Sequence, residues 1–178
     1  MRLTRPEARK RSARRGEAVI LFSVAGTSFA VAVSAVEEIR STEGLRPAPP
    51  GFAGSRLPKV KYLMERERKT YFVVDSNLHF HILPSRATRV LILRHAPVAI
   101  LVDNIEKTSE ITALHALPRA FEGEEQQWYR GIALFGEQVV PLVRPEAFLS
   151  KGEVAVAQAG ASKLAAAAEG PAPGAASA

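Results

Sequence analysis

His79 and His81, two apart, come nearest in this sequence to the spacing of a metal site. On an extended strand, residues i and i+2 share a face, so both imidazoles would point at the same ion. A site needs about three or four ligands, yet there is no cysteine and no third donor close by. The expectation is no metal and no cofactor, and without cysteine there is neither a disulfide nor a thiolate nucleophile. Asp75 and Asp103 are placed to pose as an acid–base pair. Each, however, ends a run of strand-forming residues, where Asp ordinarily caps a turn. His95 reads as turn polarity and His115 as loop surface. No Ser/His/Asp grouping, phosphate loop or glycine-rich fingerprint occurs, so the inventory predicts a protein that is not an enzyme.

The elements around these residues are strands. The densest hydrophobic pattern runs from Thr88 to Asp103, where Val90–Leu93 and Val98–Val102 flank a polar break at Arg94, His95 and Ala96. That pattern predicts two antiparallel strands and a tight turn. Neither run alternates with polar residues, so both faces are expected to be covered, as inside a barrel or between packed layers. Arg94 and Asp103 put charge at the ends of an aggregation-prone segment.

Before that hairpin, residues 19–24 and 29–33 read as strands joined through Ala25-Gly26-Thr27. Ser34 to Arg40 reads as a short bent segment leaving the sheet, with Val36 and Ile39 on one side and Glu37, Glu38 and Arg40 wet. Prolines 47, 49, 50 and 58 with glycines 51 and 54 exclude regular structure from most of residues 44–58 and predict a surface loop. Further strand candidates are residues 60–64, 71–75, 105–111, 128–135 and 139–143. Leu114 to Gln127 reads as a loop with acidic residues at Glu122, Glu124 and Glu125. Many short strands with polar turns predict a mainly β fold of barrel or sandwich type. Pro145 to Leu149 starts like a helix, and Val154 to Glu169 has the alanine content to form one.

The chain divides into residues 1–17, 18–150 and 151–178. The first segment sets seven basic residues, from Arg2 to Arg15, against Glu7 and Glu17, and holds most of the formal charge of +6. Its composition predicts a disordered basic tail, read first as a solubilising arm or a start codon called too early and second as a segment that touches anionic partners. The last segment is an alanine-rich tail, partly helical or disordered. No apolar run approaches the ~20 residues that cross a bilayer, and no export signal follows the N-terminal charges. A cytoplasmic location without membrane insertion is expected.

The run Ala18 to Arg40, with its hairpin leading into Val36-Glu37-Glu38-Ile39, resembles the opening of CheW-like domains and their Val-x-Glu-Ile step. The segment Ile100 to Ile111 resembles the family's Gly-x-x-Val-Asp-x-Val segment, and Tyr129-Arg-Gly-Ile-Ala through Phe148-Leu149 continues the likeness, with Gly131 on a family glycine. The resemblance implies two packed five-stranded Src-homology-3-like barrels with a short C-terminal helix, the Thr88–Asp103 hairpin lying in the second. It implies an adaptor coupling a chemoreceptor to a histidine kinase of the CheA type.

One family motif is missing. Family members place Gly-Val-x-Asn-Leu-Arg-Gly ahead of a Pro-Val-Ile-Asp strand. Setting Val73-Val74-Asp75 on that strand puts Tyr62 at the first Gly, Glu65 at the Asn, Arg66 at the Leu, Glu67 at the Arg and Arg68 at the second Gly. Tyr and Arg in place of Gly imply a reshaped loop, and Glu67 inverts a charge; a one-residue slip would give Arg66 or Arg68 the Arg role. Val143-Arg144 also replaces the family's Leu-Asp. By resemblance the partner-contact candidates are Val36, Glu38 and Ile39, together with Arg66, Glu67 and Arg68. Glu38 would be the polar anchor between apolar Val36 and Ile39, for which plain core is the competing assignment. The competing function is nucleic-acid binding by a β-barrel with a basic tail, but Phe22, Phe29, Phe72 and Phe135 lie in apolar strand patterns that mark core.

Overall fold

The computed structural model describes residues 16–170. The expectations for the basic tail, apart from Gly16 and Glu17, and for residues 171–178 lie outside the described residues. Among the described residues, eleven strands form two sheets: β1 (Glu17–Val24), β2 (Thr27–Ala32), β3 (Val36–Ser41), β4 (Arg46–Pro47), β5 (Val60–Arg66), β6 (Lys69–Asp75), β7 (Arg89–Leu93), β8 (Val98–Val102), β9 (Asn104–Ile111), β10 (Tyr129–Phe135) and β11 (Gln138–Val143). One sheet has the order β10-β11-β2-β1-β9 and the other β3-β7-β8-β6-β5-β4. The chain thus opens the first sheet, builds the whole of the second, and returns to finish the first. The second sheet has six strands because the two-residue β4 pairs with β5.

Strand alternation explains how a short chain covers both faces of its strands. In β8, Val98, Ile100 and Val102 enter a core shared by the two sheets, whereas Ala99 and Leu101 enter an interior private to the second sheet. The same parity holds in the first sheet. Ile20, Phe22 and Val24 join the shared core, while Val19 and Leu21 line its private interior with Ala30, Ala133, Val140 and Leu142. A side-chain period of two therefore serves two barrels at once. The β7–β8 hairpin lies inside the second sheet, and all five residues of β8 are buried, as its unbroken apolar pattern predicts.

Asp103 joins the sheets. Its Oδ2 accepts from Ala25 N at 2.7 Å, its Oδ1 accepts from Ser85 Oγ at 2.7 Å, and its own N–H donates to Ser23 O at 2.9 Å. Asp75 caps the short helix α1 (Ser76–His79), accepting from Asn77 N at 2.9 Å.

Three local expectations are corrected. Val33–Ala35 makes a 3-10 turn and β3 is an edge strand of the second sheet, so the bent segment leaves one sheet to join the other. Residues 44–58 contain β4 and a 3-10 turn at Phe52–Ser55, and bury Phe52 and Leu57. Prolines and glycines there shape a packed segment instead of a free one. Trp128 ends a helical turn, α2 (Glu125–Trp128), rather than opening a strand.

The packed structure runs on past residue 150. Helix α3 (Lys151–Ala168) opens with a complete capping box between Ser150 and Glu153. Its Ala157 is fully buried in the shared core, and Val154, Val156, Ala161 and Leu164 pack against that core at helical spacing. Gly160 permits the close approach to the 3-10 turn: a Cβ there would stand 3.1 Å from a ring carbon of Phe52.

Candidate partner-binding site

The second sheet curls until its distant strands meet. Three strands separate β3 from β5 in the sheet order, yet the Arg66 guanidinium at the end of β5 reaches two consecutive side chains of β3. Arg66 Nη1 donates to Glu37 Oε1 at 2.8 Å, and Nη2 lies 3.1 Å from Glu38 Oε2. Consecutive residues of a regular strand face opposite ways. A bulge resolves the conflict: Val36 opposes Leu93 and Glu38 opposes Ile92, so Glu37 is the extra residue. Bulges re-aim side chains in this manner. Glu67 Oε1 stands 3.6 Å from Arg66 Nη2, and Arg40 Nε 3.6 Å from Glu38 Oε1.

The electrostatics follow from the geometry. The hydrogen bond from Arg66 holds the Glu37 carboxyl below the usual carboxylate range, with the positive fields of Arg66, Arg94 and Lys69 helping. The same bond keeps the Arg66 guanidinium charged at any accessible pH. The cluster stays solvated, so it fixes side-chain geometry more than it adds stability.

Arg94, in the turn of the central hairpin, fixes the bulge from behind. Its Nε donates to Ser34 O at 3.2 Å, its Nη2 to Val36 O at 3.1 Å, and its backbone N–H to Ala35 O at 2.9 Å. Glu37 and Arg94 are the site residues that sequence reasoning missed. Glu37 and Glu38 are adjacent in the sequence, but a bulge has no signature there.

The sequence-derived candidates divide into three groups. Glu38, Arg66 and Glu67 come together in the cluster. Val36 and Ile39 share a face but not burial: with Glu37 counted as the extra residue they oppose Leu93 and Leu91 of β7, yet Val36 is buried and Ile39 is 41 % exposed. Arg68 is exposed and makes no ion pair among the described residues. The loop carrying it is a two-residue turn between Arg66 and Lys69, with Glu67 and Arg68 at φ 49° and 64°. Arg68, which stands at the family's second Gly, keeps a left-handed backbone, and a non-glycine residue there costs about 1–2 kcal/mol.

The histidine pair is also corrected. His79 lies in α1 and His81 just past it at φ 53°, not on a strand. His79 is buried among Phe80, Trp128 and Phe148, with ring centroids 4.5–5.1 Å away. Burial lowers its pKa to about 3, with Lys59 and His81 contributing, so it is a neutral core side chain. Among the described residues no group of three or more His, Asp or Glu is placed to hold a metal. Phe22, Phe29 and Phe72 are buried and Phe135 is half-buried, so these rings offer no stacking platform for bases. Gly131 sits beneath residues 114–115, where a Cβ would meet His115 O at 2.5 Å. No described helix is long and apolar enough to cross a membrane.

Two small barrels joined by a shared core, with a bulge-built ion-pair cluster on one edge strand, define a β-rich binding module. The chain belongs to the CheW-like domain family, whose model matches residues 18–153. The structure is similar to the scaffolding protein TtCheW from Thermoanaerobacter tengcongensis, with a TM-score of 0.65 at 15 % identity, covering 80 % of this chain and 94 % of that one. No curated protein matches the sequence significantly. The two sheets and the C-terminal helix correspond to the family's fold of two Src-homology-3-like subdomains.

Proposed function

We propose that this chain is a non-enzymatic, cytoplasmic adaptor of the chemotaxis type, coupling a receptor to a histidine kinase of the CheA type. The observation that carries the reading is the clasp of Arg66 on Glu37 and Glu38, beside exposed Ile39. It presents a rigid polar anchor next to apolar area on an edge strand, the composition from which protein interfaces draw specificity. In this reading Glu38, Ile39, Arg66, Glu67 and Arg68 face the partner, and Val36 supports them from the core. Family membership supports the choice of partner class, and Arg66 takes the role of the family's Arg with a one-residue slip. Affinity capture from the native cell tests it: a histidine kinase or chemoreceptor is expected with the parent chain and is lost with Glu38→Arg. Capture of neither by the folded parent chain would overturn the reading.

A further inference from the structure

A cleft of about 680 Å³ opens beside the cluster, between the second barrel and helix α3. Glu37 and Glu67 line it on the cluster's side, and both belong to Arg66, at 2.8 and 3.6 Å. Lys69, Arg94 and His95 also line it, and among the described residues none of the three is in a salt bridge. Arg94 is held rigid by its bonds to the Ser34 and Val36 carbonyls, which use two of its guanidinium donors and leave others for a ligand. Gln158 and Ser162 of α3 form the facing wall. The cleft therefore pairs a pre-positioned guanidinium with an uncommitted ammonium, the arrangement that receives a carboxylate.

We propose that this cleft receives an acidic side chain of a protein partner, read by Arg94 and Lys69. The inference rests on the adaptor reading and adds the chemistry of the partner's contact. A nucleic acid fits less well. Tyr71 and Phe72, the aromatic residues of the cleft, are buried at 6 % and 1 % exposure and cannot stack bases. Glu37 and Glu67 repel an extended polyanion but leave room for a single carboxylate. Glu37 and Glu67 are drawn to Arg66, which leaves Lys69 and Arg94 as the cleft's cations without a salt-bridge partner among the described residues.

The test uses the full chain and an acetylated, amidated hexaglutamate peptide, followed by nuclear magnetic resonance. Saturable shifts at Lys69, Arg94 and His95 are expected, weakening as salt rises. Lys69→Glu and His95→Glu, both at exposed positions, should leave the fold intact and weaken binding at least about tenfold, since like charge opposes the ligand. Shifts that spare the cleft, or affinity unchanged by both variants, would overturn the proposal. So would a single-stranded oligonucleotide that occupies the same residues more tightly than the peptide. If the parent chain captures a kinase or receptor but ignores hexaglutamate, the cleft inference alone fails; if it captures neither, the adaptor reading fails.

Discussion

Ending the chain at Ser150 should cost several degrees of thermal stability, because helix α3 is part of the packed unit. The helix contributes one fully buried side chain, Ala157, and four partly buried ones, Val154, Val156, Ala161 and Leu164. Full burial of a Val or Leu yields ~1.5–3 kcal/mol; at about half burial, with the small alanine contributions, the stripe yields roughly 3–4 kcal/mol. The partly buried Lys59–Glu153 pair at 3.2 Å and the capping box add ~1 kcal/mol. Ordering 18 residues opposes this by ~2 kcal/mol, because an alanine-rich helix of that length is nearly neutral by itself but Gly152 and Gly160 each cost about 1 kcal/mol relative to Ala. The net is ~2–3 kcal/mol. At ~2–4 °C per kcal/mol for a domain of this size, the shortened chain should melt ~5–10 °C lower.

Differential scanning calorimetry at fixed pH measures the loss, and Ala157→Asp in the full chain should reproduce most of it, since Asp cannot enter that site without an unpaired charge. A shortened chain that melts within a degree of the parent would refute the reasoning. It would mean that α3 is not seated on the shared core in solution, and that residues 18–150 are the cooperative unit.

Ile100→Asp places a carboxylate in the shared core and should cost at least ~4 kcal/mol, leaving little folded protein by circular dichroism; a folded variant would place β8 at the surface. His79 is expected to make stability fall with acid: its folded pKa of about 3 lies below the ordinary 6.5, so the unfolded chain binds the extra proton and stability is lost as pH drops from 6.5 toward 3. Above 4.5, where the carboxylates have yet to titrate, the loss is on the order of 2–3 kcal/mol, and His79→Phe should flatten that part of a denaturant-versus-pH profile. Glu38→Arg should leave melting almost unchanged, because the side chain is half-exposed, while weakening partner affinity by calorimetry; intact folding with intact affinity would remove β3 from the interface. Glu67→Arg should disrupt native binding if the inverted charge is read by a partner, and do little if Arg66 alone carries the polar contact.

The same physical rule accounts for what could be read from the sequence and what could not. Residues 98–102 spelled two-sided burial because every position is apolar, and a strand between two interiors has no other composition. The hairpin turns at Ala25-Gly26 and Gly136-Glu137 were equally legible. Parity failed where the strand gains a residue: regular spacing puts Glu37 and Glu38 on opposite faces, and also Val36 and Ile39, until the bulge at Glu37 is counted. The alternation argument misled again at His79 and His81, where Asp75 starts a helical turn and replaces a period of two by 3.6.

What was least legible is the clasp itself. Arg66 and Glu37 are 29 residues apart, on strands that do not pair, and only closure of the barrel brings them together. A local motif scan compares neighbours in the chain, so it registered the loss of a Gly-flanked Arg and had no means of registering the site that Arg66 builds. The charge inversion at Glu67 then takes a different meaning. With Arg66 already between Glu37 and Glu38, a third carboxylate stands 3.6 Å from its guanidinium, and Arg68, Lys69 and Arg94 are the nearby cations outside any salt bridge among the described residues. On the cleft proposal, Arg68 remains at the hairpin tip while Lys69 and Arg94 carry the contact in the cleft beside it.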